Sequence, residues 1–301
     1  MRPRHVQNLL ALTTLIPFLG LPTQIEGRDF PHQAEVILVE KLTHNVLRFR
    51  LRPKEPDSFV WAPGQHVFVR VPHDYLENFK KRHGDKVKDV YKETDEAAKP
   101  YSFASSPSNR AHFDLITKYY GPRPGQDVPP GLLSSYLHKH IRVGDVVTIS
   151  QPTGTLYEKN DSDRPIVVLA GGVGASPFVG LLRYWFENKI NEERKIYFFL
   201  GVQAKRDLLL HDQFLKWTRE KKNFYYIPGL SRPDSKDDWK GETGYINQVF
   251  ERYFAENIDA DAYLAGSPIM VREAIKSLRK KGVDPDNIHR DRIKVLEKDK
   301  S

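Results

Sequence analysis

Residues 166–185, IVVLAGGVGASPFVGLLRYW, constrain this chain more than any other stretch. Residues 166–170 form an apolar, β-branched run that suits a central parallel strand. Gly171, Gly172 and Gly174 follow at once. Ser176 reads as a helix N-cap and Pro177 as the first helical residue, where its missing N–H costs nothing. Phe178, Leu181, Leu182 and Trp185 then recur at helical spacing. A helix start behind a turn without side chains offers unpaired N–H groups and a partial positive charge, which together suit a pyrophosphate. The same stretch also reads as a plain strand-to-helix turn that binds nothing. It departs from the G-x-G-x-x-G fingerprint, whose third glycine would fall at Pro177. The next strand, residues 195–200, runs into Gly201-Val202-Gln203 without the expected acid. A simple dinucleotide dehydrogenase is therefore disfavoured.

With 301 residues the chain can form two domains of ordinary size. Its 29% charged and 39% hydrophobic residues are those of a soluble globular protein. Cysteine is absent, which excludes disulfides, cysteine-ligated iron–sulfur clusters and thiol catalysis. No H-E-x-x-H, no G-x-x-x-x-G-K-[ST] and no carboxylate cluster of metal-site type is present, so no metal is expected. The formal net charge of +8 can steer anionic partners. Because the lysines are scattered, nucleic acid is not the expected partner.

Residues 1–32 stand apart. Arg2, Arg4 and His5 precede an apolar stretch interrupted by Pro17, and no acid appears before Glu26. The stretch is shorter than the ~20 residues of a membrane span. It reads equally as a cleaved targeting segment, an interfacial anchor, or an arm packed on the first domain. Location thus stays open between cytoplasmic and membrane-associated, with organelle targeting a further option. From residue 33 the pattern turns to strands. Residues 34–40 and 46–51 look like a hairpin pair, the second alternating apolar and basic residues as if one face were solvated. Residues 66–71, 111–120 and 146–149 are further strands, and residues 131–137 start a short helix. Residues 73–98 are highly charged and read as a surface insertion, partly helical or mobile, with a partner-docking loop as the functional alternative. His138 and His140 flank Lys139 on a polar turn and read as surface residues, not haem ligands. This pattern predicts an antiparallel β-barrel over residues 33–158. A polar linker, residues 158–164, leads to alternating strands and helices, a parallel α/β nucleotide-binding domain over residues 164–301. In such a sheet, ligands sit at the carboxyl ends of the strands, where Ala265-Gly266-Ser267-Pro268 also falls. The last helix runs to Gly282 as a C-cap.

Taken together, these residues resemble the ferredoxin–NADP reductase superfamily, with a flavin-binding barrel followed by a nicotinamide-binding domain, and most of all its cytochrome b5 reductase and ferric-reductase-like branch. The resemblance covers about residues 33–293. The family's Arg-x-Tyr-[Ser/Thr] stands here as Lys99-Pro100-Tyr101-Ser102. It implies Tyr101 stacked on the isoalloxazine, Ser102 near its reactive nitrogen, and Lys99 on the FAD pyrophosphate. A lysine keeps the charge but loses the arginine fork, so weaker FAD binding is expected. Ile116 and Lys118 match the strand that contacts the flavin nucleotide. Gly131, Leu133 and Ser134 belong to the family's Gly-x-x-Ser, whose helix start holds FAD phosphates. Gly171, Gly172, Gly174, Ala175, Ser176 and Pro177 match G-G-x-G-[IL]-[ST]-P, with Ser176 beside the nicotinamide. Ser102 and Ser176 are thus the candidate catalytic pair.

Near the end, the family's Cys-Gly-x-x-Met reads Ala265-Gly266-Ser267-Pro268-Ile269-Met270. Gly266 and Met270 are carried over. The alanine in place of cysteine implies a slower hydride step. Asp291 and Ile293 take the places of an acid and an aromatic that cover the flavin. NADH-preferring relatives carry an Asp in the loop that here reads Leu230-Ser231-Arg232-Pro233. With that carboxylate missing, and Gln203 to Arg206 supplying a basic edge, Ser231, Arg232 and Gln203 favour NADPH over NADH. The resemblance implies an FAD-dependent NAD(P)H oxidoreductase with a separate acceptor: a haem or iron protein, a quinone, a ferric chelate or oxygen. The rival reading, supported by Lys99, Ala265 and Ile293, is a degenerate non-catalytic module that docks or regulates.

Overall fold

The computed structural model describes residues 29–290, apart from 123–124, 155 and 157–161. The N-terminal readings for residues 1–28, most of the linker, and Asp291 and Ile293 lie outside the described residues. The first half contains β1 (His32–Thr43), β2 (Val46–Pro53), β3 (His66–Arg70), β4 (Ala98–Ser102), β5 (Phe113–Lys118) and β6 (Val146–Ile149). They form an antiparallel sheet in the order β4-β3-β6-β1-β2-β5. An isolated bridge links Phe103, just past β4, with Leu115 of β5. β1 and β2 are the expected hairpin, registered from Ala34 opposite Pro53 to Thr43 opposite Val46. Inward residues such as Val36, Phe49, Phe59, Val67, Phe103 and Phe113 make a core closed almost completely to water. Before it, Phe30 packs on Phe68 and Ala98.

Two expectations are refined here. Residues 73–98 lie largely on the surface and are partly helical, as expected, but the segment is anchored inward. It forms α1 (His73–His83) and α2 (Asp89–Lys92), and Leu76, Phe79, Val87, Tyr91 and Ala97 are buried in the barrel core. Tyr75 packs on Tyr136 and His140, and Lys86 pairs with Asp127 at 2.6 Å. The basic face of β2 is only partly solvated, with Arg52 exposed. Arg48 pairs with Glu40, and Arg50 is held by the buried Asp114 of β5. That face lies against the second half of the chain. A further short helix, α3 (Leu132–Ser135), runs into a π-helical turn over Tyr136–His140.

The second half alternates as expected: β7 (Ile166–Gly171), α4 (Ser176–Asn188), β8 (Ile196–Val202), α5 (His211–Glu220), β9 (Phe224–Leu230), β10 (Glu242–Thr243), α6 (Ile246–Tyr253), β11 (Asp261–Ala265), α7 (Pro268–Lys280) and β12 (Ile288–Arg290). The parallel sheet has the order β10-β9-β8-β7-β11-β12. The chain builds outward from β7 to β10, then crosses back to place β11 on the other side of β7. The switch point thus lies between β7 and β11, where the crevice for a ligand opens. α4 buries Phe178, Leu181, Leu182 and Trp185, all at most 2% exposed. At about 1.5–3 kcal/mol for each such side chain, the helix is firmly seated and its N-terminal turn is held in place. Gly282 adopts a left-handed φ of 83° just past α7, as its C-cap reading requires. No helix among the described residues is long and apolar enough to cross a membrane.

Candidate functional site

The residues expected on the flavin side come from β4, β5 and α3. Pairing with β3 sets Lys99 opposite Val69, Tyr101 opposite Val67 and Ser102 opposite His66. Alternation puts Lys99 and Tyr101 on one face. Tyr101 is half-buried against the barrel core, and burial raises its phenol above the ordinary value. Lys99 is also half-buried. Burial, with the nearby Lys88 as a second cause, lowers it to about 8. No carboxylate pairs with Lys99 among the described residues. A cation withdrawn from water without a counter-charge is costly, and a bound anion removes that cost. The site therefore fits an FAD pyrophosphate.

On β5, Asp114, Ile116 and Lys118 share the face opposite to Phe113 and Leu115. Ile116 joins a buried cluster that includes Ala104 from the first half and Ala175, Phe178 and Val179 from the second. At α3 the expected helix N-terminus is present, one α-helical turn that continues into the π-helical turn. Ser134 Oγ donates to the Gly131 carbonyl at 3.0 Å and accepts from Tyr120 N–H at 3.2 Å. Its hydroxyl ties the end of β5 to the Gly131 loop, and the Leu133 side chain is core. What Gly131 and Leu133 can offer a phosphate is backbone N–H. His138 is not a surface residue. It is half-buried, its Nε2 lies 2.9 Å from Thr117 Oγ1, and burial lowers its proton affinity.

The residues expected on the nicotinamide side meet at the switch point, where Ala170 of β7 lies opposite Ala265 of β11. Gly172 has a left-handed φ of 53°, and a side chain there would enter open space. A Cβ at Gly174 would lie 2.5 Å from the Ala265 carbonyl oxygen, so the two turns touch backbone to backbone. One at Gly266 would meet Met270 Sδ at 2.8 Å. Ser267 caps α7 by accepting from Met270 N–H at 3.3 Å. The result is an open cradle floored by glycines and walled by Met270, which fits a dinucleotide pyrophosphate. Ala175 and Pro177 are buried and serve packing. Ser176 is not an N-cap. It is the first residue of α4, is 4% exposed, and donates its hydroxyl to the Val173 carbonyl at 2.6 Å. Its lone pairs remain available to accept.

At the carboxyl ends of β8 and β9, Ser231 N–H bonds Val202 O at 2.9 Å and Arg232 N–H bonds Gln203 O at 2.8 Å. Gln203, Ser231 and Arg232 are thus one cluster. Gly244 N–H bonds Leu230 O at 2.8 Å, which brings Tyr245, 62% exposed, to the same place. Sequence reading missed Tyr245. The signal was an aromatic straight after a turn glycine at a strand end. The exposed Arg232 side chain has no carboxylate partner among the described residues. A carboxylate is nevertheless present: Asp237 accepts from Lys205 N–H at 3.3 Å and closes the turn from Asp234. Residues 230–233 themselves carry no acid, and Asp237 stands four residues beyond them. Away from these sites, His73, Glu77 and Asp95 bring three ligand atoms within 4.8 Å. Lys80 at 2.7 Å already balances Glu77, so the trio needs no ion.

Comparison with known proteins bears on both halves of the chain. Residues 83–157 match the oxidoreductase FAD-binding domain family, and residues 168–276 the oxidoreductase NAD-binding domain family. In Klebsiella pneumoniae the F subunit, a component of the Na(+)-translocating NADH-quinone reductase, is 31% identical over 293 residues, covering 90% of this chain and 69% of that protein. Its counterpart in Serratia proteamaculans is 32% identical over 225 residues, covering 72% and 54%. The chain spans about half the length of most such relatives. Among solved structures, Amycolatopsis cytochrome P450 reductase GcoB superposes with a TM-score of 0.68 at 23% identity, over 86% of this chain and 68% of that one. The cytochrome b5 reductase domain of Ulva prolifera nitrate reductase gives 0.67 at 19%, over 89% and 98%. These two show the shared fold.

Proposed function

The chain belongs to the ferredoxin–NADP reductase superfamily, and on that premise we propose that it passes a hydride from NAD(P)H to FAD and hands the electrons to a separate acceptor. The observation that carries this reading is the shared interface: one buried cluster joins Ala104 and Ile116 with Ala175 and Phe178. The flavin-side strand and the glycine turn therefore open onto the same seam.

In this reading residues 33–158 hold FAD and residues 164–301 hold the coenzyme. When bound, FAD takes up two electrons from a nicotinamide and can release them singly. Lys99 supplies charge to its pyrophosphate, Tyr101 a stacking face and Ser102 a hydroxyl. Gly171, Gly172 and Gly174 let the coenzyme backbone approach, while Gly266 and Met270 wall the pocket. Ser176, its proton committed to Val173, offers an acceptor to a carboxamide N–H. Gln203, Ser231, Arg232 and Tyr245 take the adenosine end. The chain's main contribution is alignment and exclusion of water, since hydride transfer itself needs no general acid or base.

The acceptor we favour is a one-electron haem or iron protein with an acidic surface, matched to the net charge of +8. Quinone, a ferric chelate and oxygen are the small-molecule alternatives, and the relatives' name includes a quinone. The test is the visible spectrum of the FAD-supplied protein before and after anaerobic NADPH or NADH. A flavin band that bleaches is expected. A protein that stays colourless after FAD is supplied overturns the reading in favour of a non-catalytic module.

A further inference from the structure

Helix α4 meets the first sheet where there is no room for a side chain. A Cβ at Gly180 would lie 2.4 Å from the Phe103 carbonyl oxygen and 3.0 Å from that of Ser105. Phe103 directly follows Ser102, and Gly180 stands one helical turn after Ser176. Glycine costs about 0.5–1 kcal/mol relative to alanine in a helix interior. Its presence in the middle of α4 is accounted for by this close approach.

Beside the contact stands a buried carboxylate. Asp114, 0% exposed, accepts from Arg50 Nε at 2.8 Å and Nη2 at 3.1 Å on its own sheet. Across the seam it accepts from Arg183 Nη1 at 3.5 Å. Arg183 lies three residues beyond Gly180, on the same helix face. The backbone of Asp114 also holds the segment that Gly180 touches: its N–H bonds Ser105 Oγ at 3.0 Å and its carbonyl accepts Ala104 N–H at 2.8 Å. Farther along, Asn188 Nδ2 donates to Ser108 Oγ at 2.9 Å. One face of α4 is thus fastened to the first half of the chain by a backbone contact at Phe103, an ion pair to Asp114 of β5 and a side-chain hydrogen bond to Ser108.

We propose that Gly180 and Asp114 are positioning residues that set the separation of the flavin-side and nicotinamide-side sites. They touch neither ring. They act through Phe103, next to Ser102, and through α4, which begins at Ser176. The proposal rests on the hydride-transfer reading above.

The test uses the full FAD-loaded chain and two variants. Ordinary van der Waals contact begins at 3.4 Å, so the methyl of Gly180→Ala must back α4 off by about 1 Å. Misplacement on that scale costs on the order of 100-fold in rate. Anaerobic flavin reduction is therefore expected to slow about 100-fold. The deuterium isotope effect from 4-labelled coenzyme should rise, and the long-wavelength absorbance of coenzyme stacked on flavin should weaken. FAD affinity should not change. Arg183→Met keeps the apolar stem and removes only the fastening, so it should move the same readouts less. If Gly180→Ala does not fold, Arg183→Met decides the matter. Wild-type rates and absorbance in the folded variants overturn the proposal, as does a loss of FAD with an unchanged rate per bound flavin. If the natural protein's flavin is not reduced at all, the hydride-transfer reading itself fails, which is a separate result.

Discussion

At Lys99 a flexible ammonium stands where the family pattern has a guanidinium. Its lowered value of about 8, caused first by burial and second by Lys88, gives FAD binding a pH dependence with a definite sign. A bound pyrophosphate favours the charged form. Below about pH 8 the side chain is already charged, and binding needs no proton. Above it, binding must take one up, and affinity falls by up to about tenfold per pH unit. Lys99→Arg, charged throughout, should hold FAD equally at pH 7 and pH 9.5, while the natural protein loosens by up to about thirtyfold over that span. A fluorescence titration at both pH values decides it, and a flat profile in the natural protein removes Lys99 from the phosphate site. Arg232 poses the matching question for the coenzyme, since it is exposed, lacks a carboxylate partner among the described residues, and shares its loop with Asp237. Reversing its charge with Arg232→Glu should raise the KM for NADPH about ten- to a hundred-fold, the worth of roughly 1.5–3 kcal/mol for a charged hydrogen bond. The KM for NADH should barely move. Equal changes would mean that Arg232 does not meet a 2′-phosphate.

Among the elements, the turns that build the cradle are governed by backbone contact. Gly174→Ala would drive a methyl to 2.5 Å from the Ala265 carbonyl oxygen and part the β7 and β11 turns. The expected result is a protein that keeps its FAD and loses measurable coenzyme binding, read by calorimetry with the oxidised coenzyme. Undiminished coenzyme affinity would show that the two turns need not touch. These turns were legible in the sequence because their chemistry is local: a strand, three glycines and a helix start are read from adjacent residues. What was not legible depended on partners distant in the chain. Alternation in β2 correctly put Arg48 and Arg50 on one face, but a period of two cannot distinguish water from Asp114 and a neighbouring helix. In residues 73–98, the charged neighbours masked Leu76, Phe79, Val87 and Tyr91, which anchor the segment in the core. Ser176 was placed within one residue of its role, but whether its hydroxyl accepts or donates is decided by where the Val173 carbonyl points.

Across the whole molecule, two sheets are joined by a polar linker whose far end is pinned at the amino ends of the parallel strands. Asp261, 0% exposed, accepts from Arg164 Nε and Nη2 at 3.2 and 2.9 Å and from Arg194 Nη2 at 2.6 Å. Arg194 Nε in turn donates to the Arg164 carbonyl at 2.7 Å. Burial alone would raise the Asp261 carboxyl, but hydrogen bonds from Ser162 and Arg164 and the charges of both arginines outweigh it and hold it below the usual carboxylate range. A carboxylate lowered in this way contributes its stability above the pKa of the unfolded chain and loses it as the pH falls through the folded value. Asp261→Asn leaves two arginines facing a neutral group, one of them Arg194 at 7% exposed. The variant should lose about 3–5 kcal/mol at neutral pH, and the deficit should shrink below about pH 4. The barrel core draws on none of these residues. The loss should therefore appear in unfolding of the parallel sheet, followed by urea titration, while FAD affinity in the absence of denaturant stays as in the natural protein. A deficit under about 1 kcal/mol would show that the triad only balances its own desolvation. FAD affinity that falls in step with stability would mean that the linker end also holds the barrel in shape.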